Sequence, residues 1–93
     1  MNKTVKLVAE TYTQEQIILK VLEECAELSE VLLKFLTKKP ELKPPTSKIT
    51  KEAGDVIFRI AVMAEKMKLT DEINDRVNEK EQIMFEYVIS KQL

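Results

Sequence analysis

The chain contains no histidine, a single cysteine, a single glycine and no apolar run approaching the length of a membrane span. Each shortage closes off a class of function. Without histidine, any general base must be a carboxylate, a lysine or a metal-activated water. One cysteine cannot build a disulfide framework, and no Cys/His cluster exists to hold zinc. Charge of one sign is missing as well. Fifteen Lys and Arg stand against sixteen Asp and Glu, a net charge of −1, which leaves no electrostatic footprint for nucleic acid or for an anionic membrane surface. The segment Met1–Glu10 lacks the apolar core of a signal peptide. The expectation is a cytoplasmic protein with neither nucleic acid nor membrane as a partner.

What is abundant points to helices: Leu, Ile, Val, Ala, Glu and Lys, interrupted by only three prolines. Ninety-three residues make one domain, residues 1–93, with no internal repeat and no low-complexity tract. Thr13-Gln14-Glu15-Gln16 has the form of a capping box. Apolar residues then recur at helical spacing from Ile17 to Leu36, a helix roughly 35 Å long. The charged segment 37–47, with Pro40, Pro44 and Pro45, ends it as an irregular loop. Thr46 or Ser47 is placed to cap a second helix running to about Met67, apolar nearly all round except for a notch of Glu52, Asp55 and Arg59. Thr70-Asp71-Glu72 opens a third helix that reaches about Ser90. Residues 1–12 form an N-terminal arm, open between a strand, an arm laid across a partner subunit and disordered chain. The expected fold is all-α, a short helical bundle whose four-helix core is completed by homo-oligomerisation, as a homodimer or a dimer-of-dimers tetramer.

Two acidic clusters carry the chemistry: Glu23-Glu24-Cys25-Ala26-Glu27 and Glu52-Ala53-Gly54-Asp55. Glu24 and Glu27 share one helical face, as do Glu52 and Asp55. A solvated surface accounts for Glu23, Glu30 and Glu65 taken alone. It does not account for Glu24, which falls inside the apolar stripe. Pairing of Lys20 with Glu24, Lys51 with Asp55 and Asp55 with Arg59 is the competing explanation, worth only about 0.2–0.5 kcal/mol per pair. If the two faces meet, four carboxylates converge, and their burial requires cations. Hard oxygen ligands of this kind suit magnesium, with manganese as a substitute, and magnesium suits phosphate substrates. The reading is metal-assisted hydrolysis of a phosphoanhydride. Cys25, mid-stripe and without a basic neighbour, reads as a buried structural thiol.

The order Glu-Glu-x-x-Glu, about two dozen residues, then Glu-x-x-Asp resembles the signature of the all-α nucleotide pyrophosphohydrolases, and within them the small MazG-like proteins. Leu22–Val31 resembles that family's first motif helix, Glu52–Phe58 its second, and Val77-Asn78-Glu79-Lys80 its third. The resemblance implies that Glu24, Glu27, Glu52 and Asp55 bind magnesium. It implies that water attacks a nucleoside triphosphate between the α and β phosphates, giving the monophosphate and pyrophosphate. It offers Glu23 a catalytic place alongside Glu24, open between a base for the water, an outer ligand and a solvated residue. Lys80 reads either as a catalytic phosphate partner or as a snorkelling side chain paired to a Glu, and Asn78 either as a substrate hydrogen-bonder or as a surface residue. Two departures stand out. Glu81, Gln82, Ile83 and Met84 follow the third motif where many relatives carry a basic pair, and Lys66-Met67-Lys68-Leu69 stands where a glycine is usual.

Phosphoribosyl-ATP pyrophosphohydrolase is the nearest competing enzyme, disfavoured because its second helix carries a Tyr-His pair where Val56, Ile57 and Phe58 stand here. A helical dimer acting as an interaction module, with segment 37–47 as its partner-binding loop, is the competitor from outside enzymology.

Overall fold

The structure, a computed structural model, describes residues 2–92. Among them are four α-helices and no strand: α1 (Lys3–Thr11), α2 (Gln14–Thr37), α3 (Thr46–Met67) and α4 (Thr70–Gln92). The all-α class and the helical bundle are therefore as the sequence leads one to expect. No helix of the described residues is long and apolar enough to cross a membrane.

The N-terminal segment is a helix. Asn2 caps it, its side-chain oxygen accepting from the Thr4 N–H at 2.8 Å and the Val5 N–H at 3.4 Å. Val5 and Ala9, one turn apart, are buried as α1 docks on α3. Helix α2 starts where the capping box places it. The Thr13 hydroxyl accepts from the Gln16 backbone N–H at 3.2 Å and the Gln16 side-chain Oε1 accepts from the Thr13 N–H at 2.9 Å.

The loop between α2 and α3 holds more structure than its prolines suggest. Pro40–Leu42 forms one 3-10 turn, and the Lys43 ammonium donates to the Phe35 carbonyl while lying 5.2 Å from the Phe35 ring centroid. Neither Thr46 nor Ser47 caps α3. Pro45 occupies the cap position in extended geometry, no side chain caps the end, and both hydroxyl residues fall inside the first turn. The proline sets this boundary, because its fixed φ and the extended residue before it put the helix start directly after it.

Helices α2 and α3 pack most closely and run antiparallel. Ile17, early in α2, meets Val62, late in α3, whereas Glu24 further along α2 meets Asp55 earlier in α3. Val5, Ala9, Ile17 and Val62 form the core, with Phe58 and Met63 packed against it. Val62 is 1% exposed, and truncating it to alanine removes about 2 kcal/mol.

Helix α3 ends without glycine. Lys68 takes the left-handed conformation at φ 57°, ψ 45°, so that the Leu69 N–H reaches the Ala64 carbonyl at 2.8 Å and the Lys68 N–H reaches Glu65 at 3.3 Å. The reversal sends α4 away from the bundle. Beyond Ile73 every described residue of α4 is exposed. The radius of gyration is 16.7 Å, against about 12 Å for a compact chain of this length.

Candidate metal centre

Glu24 on α2 meets Glu52 and Asp55 on α3, each offering one carboxylate oxygen within 4.8 Å of the others. The antiparallel register produces this meeting. Three residues separate Glu52 from Asp55, so both project from one side of α3, and Glu24 sits at the facing height of α2. Glu52 is 4% exposed. The side chain of Glu24 is 13% exposed, confirming its place inside the packed face.

Cations engage one side of this cluster. Arg59 Nε stands 4.0 Å from Glu24 Oε1; Lys51 Nζ stands 3.6 Å from Glu52 Oε1 and 3.2 Å from Asp55 Oδ2. The Asp55 hydrogen bond, ahead of the Asp55 and Glu52 charges, raises the Lys51 pKa above its ordinary value. The other side is bare. Glu24 Oε2 and Glu52 Oε2 are both buried and accept no hydrogen bond. A buried polar atom left unpartnered costs about 1–3 kcal/mol, and more when it carries charge. Two such atoms in one carboxylate cluster fit a divalent cation bound by hard oxygen donors.

Glu27 stands at the exposed rim of this group. Its pKa is raised, first by the Glu24 charge, then by desolvation, then by hydrogen bonding shared with Glu24, with Glu52 adding smaller contributions. Of the four carboxylates named from the sequence as ligands, three therefore converge directly and the fourth feels their charge from the edge.

The remaining candidates lie elsewhere. Glu23 is exposed outside the converging trio, paired with Lys20 at 3.3 Å at the wall of a cavity between α1, α2 and α3. Asn78 and Lys80 are exposed on α4, beyond the stretch where α4 touches α3. Lys80 lines only a shallow depression made by its own helix, with Arg76, Val77, Glu81 and Met84. Among the described residues, no hydrogen bond or ion pair within the chain joins either residue to the carboxylates. Cys25 is a free, partly buried thiol.

This cavity, of about 400 Å³, is linked to the carboxylates by one wall residue, Arg59, 4.0 Å from Glu24. Tyr12, Gln16, Lys20, Glu23, Arg59 and Val62 are among its walls. The sequence offers Tyr12, with Phe58, Phe85 and Tyr87, as a residue that stacks a base or, more simply, packs the core, and offers Gln16 only within a capping box. Their common surroundings depend on α1 being a helix, and the Asn2 cap followed by Val5 and Ala9 is the signal that announces it.

Comparison with known protein families, with curated proteins and with solved structures finds no match.

Proposed function

We propose that the chain is a magnesium-dependent nucleoside triphosphate pyrophosphohydrolase, cleaving between the α and β phosphates. The observation that carries this reading is the pair of buried, unpartnered oxygens, Glu24 Oε2 and Glu52 Oε2, inside a converging trio of carboxylates. The resemblance of the two acidic motifs to those of the MazG-like proteins supports it independently of that geometry.

In this reading Glu24, Glu52 and Asp55 hold the cation and Glu27 completes the set from the rim. Cation binding reverses the repulsion that raises the Glu27 pKa. A cation held by these carboxylates would supply charge neutralisation and Lewis-acid polarisation of a phosphoryl oxygen. Lys20 and Arg59, on the cavity side of the acids, attract the triphosphate. The oxygen of a water bonds to the α-phosphorus, the bridging bond to the β-phosphate breaks, and pyrophosphate leaves. With no histidine in the chain, the water's proton passes to a carboxylate, and Glu23, a wall of the cavity beside Lys20, is the one this reading assigns. The acceptor is then regenerated by release of that proton to solvent.

A homodimer or dimer-of-dimers completes the molecule. Among the described residues, Ile83, Met84, Phe85, Tyr87, Val88 and Ile89 lie 40–63% exposed around one stretch of α4, and Leu22, Leu32, Leu33 and Leu36 are exposed along α2. Apolar stretches exposed in this way need a partner to cover them. In such an assembly Asn78 and Lys80 reach substrate at the neighbouring copy's carboxylates.

Thermal denaturation with millimolar magnesium and a non-hydrolysable α,β-methylene triphosphate tests the reading. Ligand at a hundred times its dissociation constant stabilises the fold by about 2.7 kcal/mol, and EDTA removes the effect. An unchanged midpoint would point to an interaction module instead.

A further inference from the structure

We infer that the cavity between α1, α2 and α3 is a nucleobase pocket, with Tyr12 as its stacking platform and the Gln16 amide as its hydrogen-bond donor. The inference rests on the phosphohydrolase reading for its substrate and goes beyond it in placing the base.

The cavity, about 400 Å³, falls within the roughly 300–1,000 Å³ typical of small-molecule sites. Its walls divide by chemistry. Val8, Ile17 and Val62 make an apolar floor, whereas Lys20, paired with Glu23, and Arg59, 4.0 Å from Glu24, make a charged end. Lys20 is one turn before Glu24 on α2, and Arg59 is one turn beyond Asp55 on α3. An occupant that is flat and apolar at one end and polyanionic at the other matches that gradient. From Gln16 to Glu24 the helix rises about 12 Å, a span suited to a base, its sugar and the first phosphate.

Tyr12 is fixed at the junction of α1 and α2, where its N–H donates to the Val8 carbonyl at 3.2 Å. Its side chain is left 49% exposed at the cavity wall, so it is not consumed by the core. Aromatic faces stack every base with little preference of sequence. Gln16 is constrained more tightly. Its Oε1 already accepts from the Thr13 N–H, so the side-chain NH₂ is the free end, and it selects an acceptor on the base edge. Helix α1 thereby acquires a function: it supplies one wall of the pocket and places Tyr12.

The test labels tyrosine with carbon-13, which gives two ring signals because the chain holds two tyrosines; Tyr87→Phe assigns them. Nucleoside 5′-monophosphates are titrated in EDTA, with ribose 5-phosphate as the base-free control. In parallel, kcat and KM for triphosphate hydrolysis are measured for Tyr12→Ala and Tyr12→Phe. The expected result is a ring-current shift of Tyr12 with the nucleotides alone. Tyr12→Ala should raise KM about tenfold with kcat within about twofold, and Tyr12→Phe should restore it. Hydrolysis by the wild type with no Tyr12 shift and unchanged KM in Tyr12→Ala would overturn the pocket and leave the phosphohydrolase reading standing. A Tyr12 shift without hydrolysis would support the pocket and overturn the chemistry. Neither shift nor hydrolysis would overturn both.

Discussion

Glu24 and Glu52 face each other across the α2–α3 interface in the same condition: a cation stands near Oε1 of each, at 4.0 Å from Arg59 and 3.6 Å from Lys51, and Oε2 of each is buried without a partner. Packing of a 93-residue chain gives no reason to retain two such carboxylates. A ligand does.

Replacing Glu52 by glutamine keeps its shape and removes its charge. Turnover should fall about a hundredfold, since Glu52 is a metal ligand in the proposed reading. In EDTA the same variant should be more stable than the wild type by on the order of 1 kcal/mol, because repulsion within the trio is relieved. Pyrophosphate release and thermal denaturation in EDTA check the two halves separately. Glu24→Gln should behave alike in activity.

The raised pKa of Glu27 gives the metal-free protein a pH dependence with a definite sign. The folded state binds its proton more tightly than the unfolded chain, whose pKa is near 4.5. The resulting stability is fully present below 4.5 and is lost as pH rises through the folded value. Glu30, lowered by its hydrogen bond with Lys34 and then by the Lys34 charge, acts on the other side: its contribution is present above 4.5 and lost as pH falls. Glu27→Gln should therefore flatten the decline above 4.5 and leave the acid limb unchanged, as read by denaturation midpoints in EDTA across that range.

Lys68 at φ 57° is the single non-glycine residue with positive φ among the described residues. Lys68→Gly should stabilise the fold by about 1 kcal/mol, because glycine adopts the left-handed region without its Cβ penalty. Chemical denaturation reads this directly. An unchanged or lowered midpoint would show that the reversal into α4 is held by other contacts.

The apolar stretch of α4 should set the assembly. Light scattering is expected to give twice or four times the chain mass of 10.8 kDa. Val88→Asp, on a residue 47% exposed, should shift the mass toward a single chain and lower turnover with it. A wild-type mass of one chain would remove the route by which Asn78 and Lys80 reach a site.

Legibility in the sequence followed the range of the interactions. The Thr13–Gln16 box and the inward direction of Glu24 are set within a single helix, and both could be read from spacing. The meeting of Glu24 with Glu52 and Asp55 needed only that two amphipathic helices pack antiparallel across a short loop. Helix α1 stays open in the sequence between strand, arm and disordered chain although Asn2, Val5 and Ala9 carry a helical signal, because nine residues are too few to hold a helix alone and its stability comes from Val5 and Ala9 docking on α3. The left-handed Lys68 carries no sequence signal, since the motif usually announces itself by glycine. Asn78 and Lys80 stand out only by a resemblance, and the direction of α4 depends on tertiary contacts; in the single chain it carries them away from the acids.

The most direct test of the account is pyrophosphate release from a panel of canonical and modified ribo- and deoxynucleoside triphosphates, with phosphoribosyl-ATP included, in magnesium and in EDTA. The account predicts release in magnesium, silence in EDTA, and loss of release in Glu52→Gln. Silence across the panel from folded, assembled protein, or release that survives in both EDTA and Glu52→Gln, would contradict it.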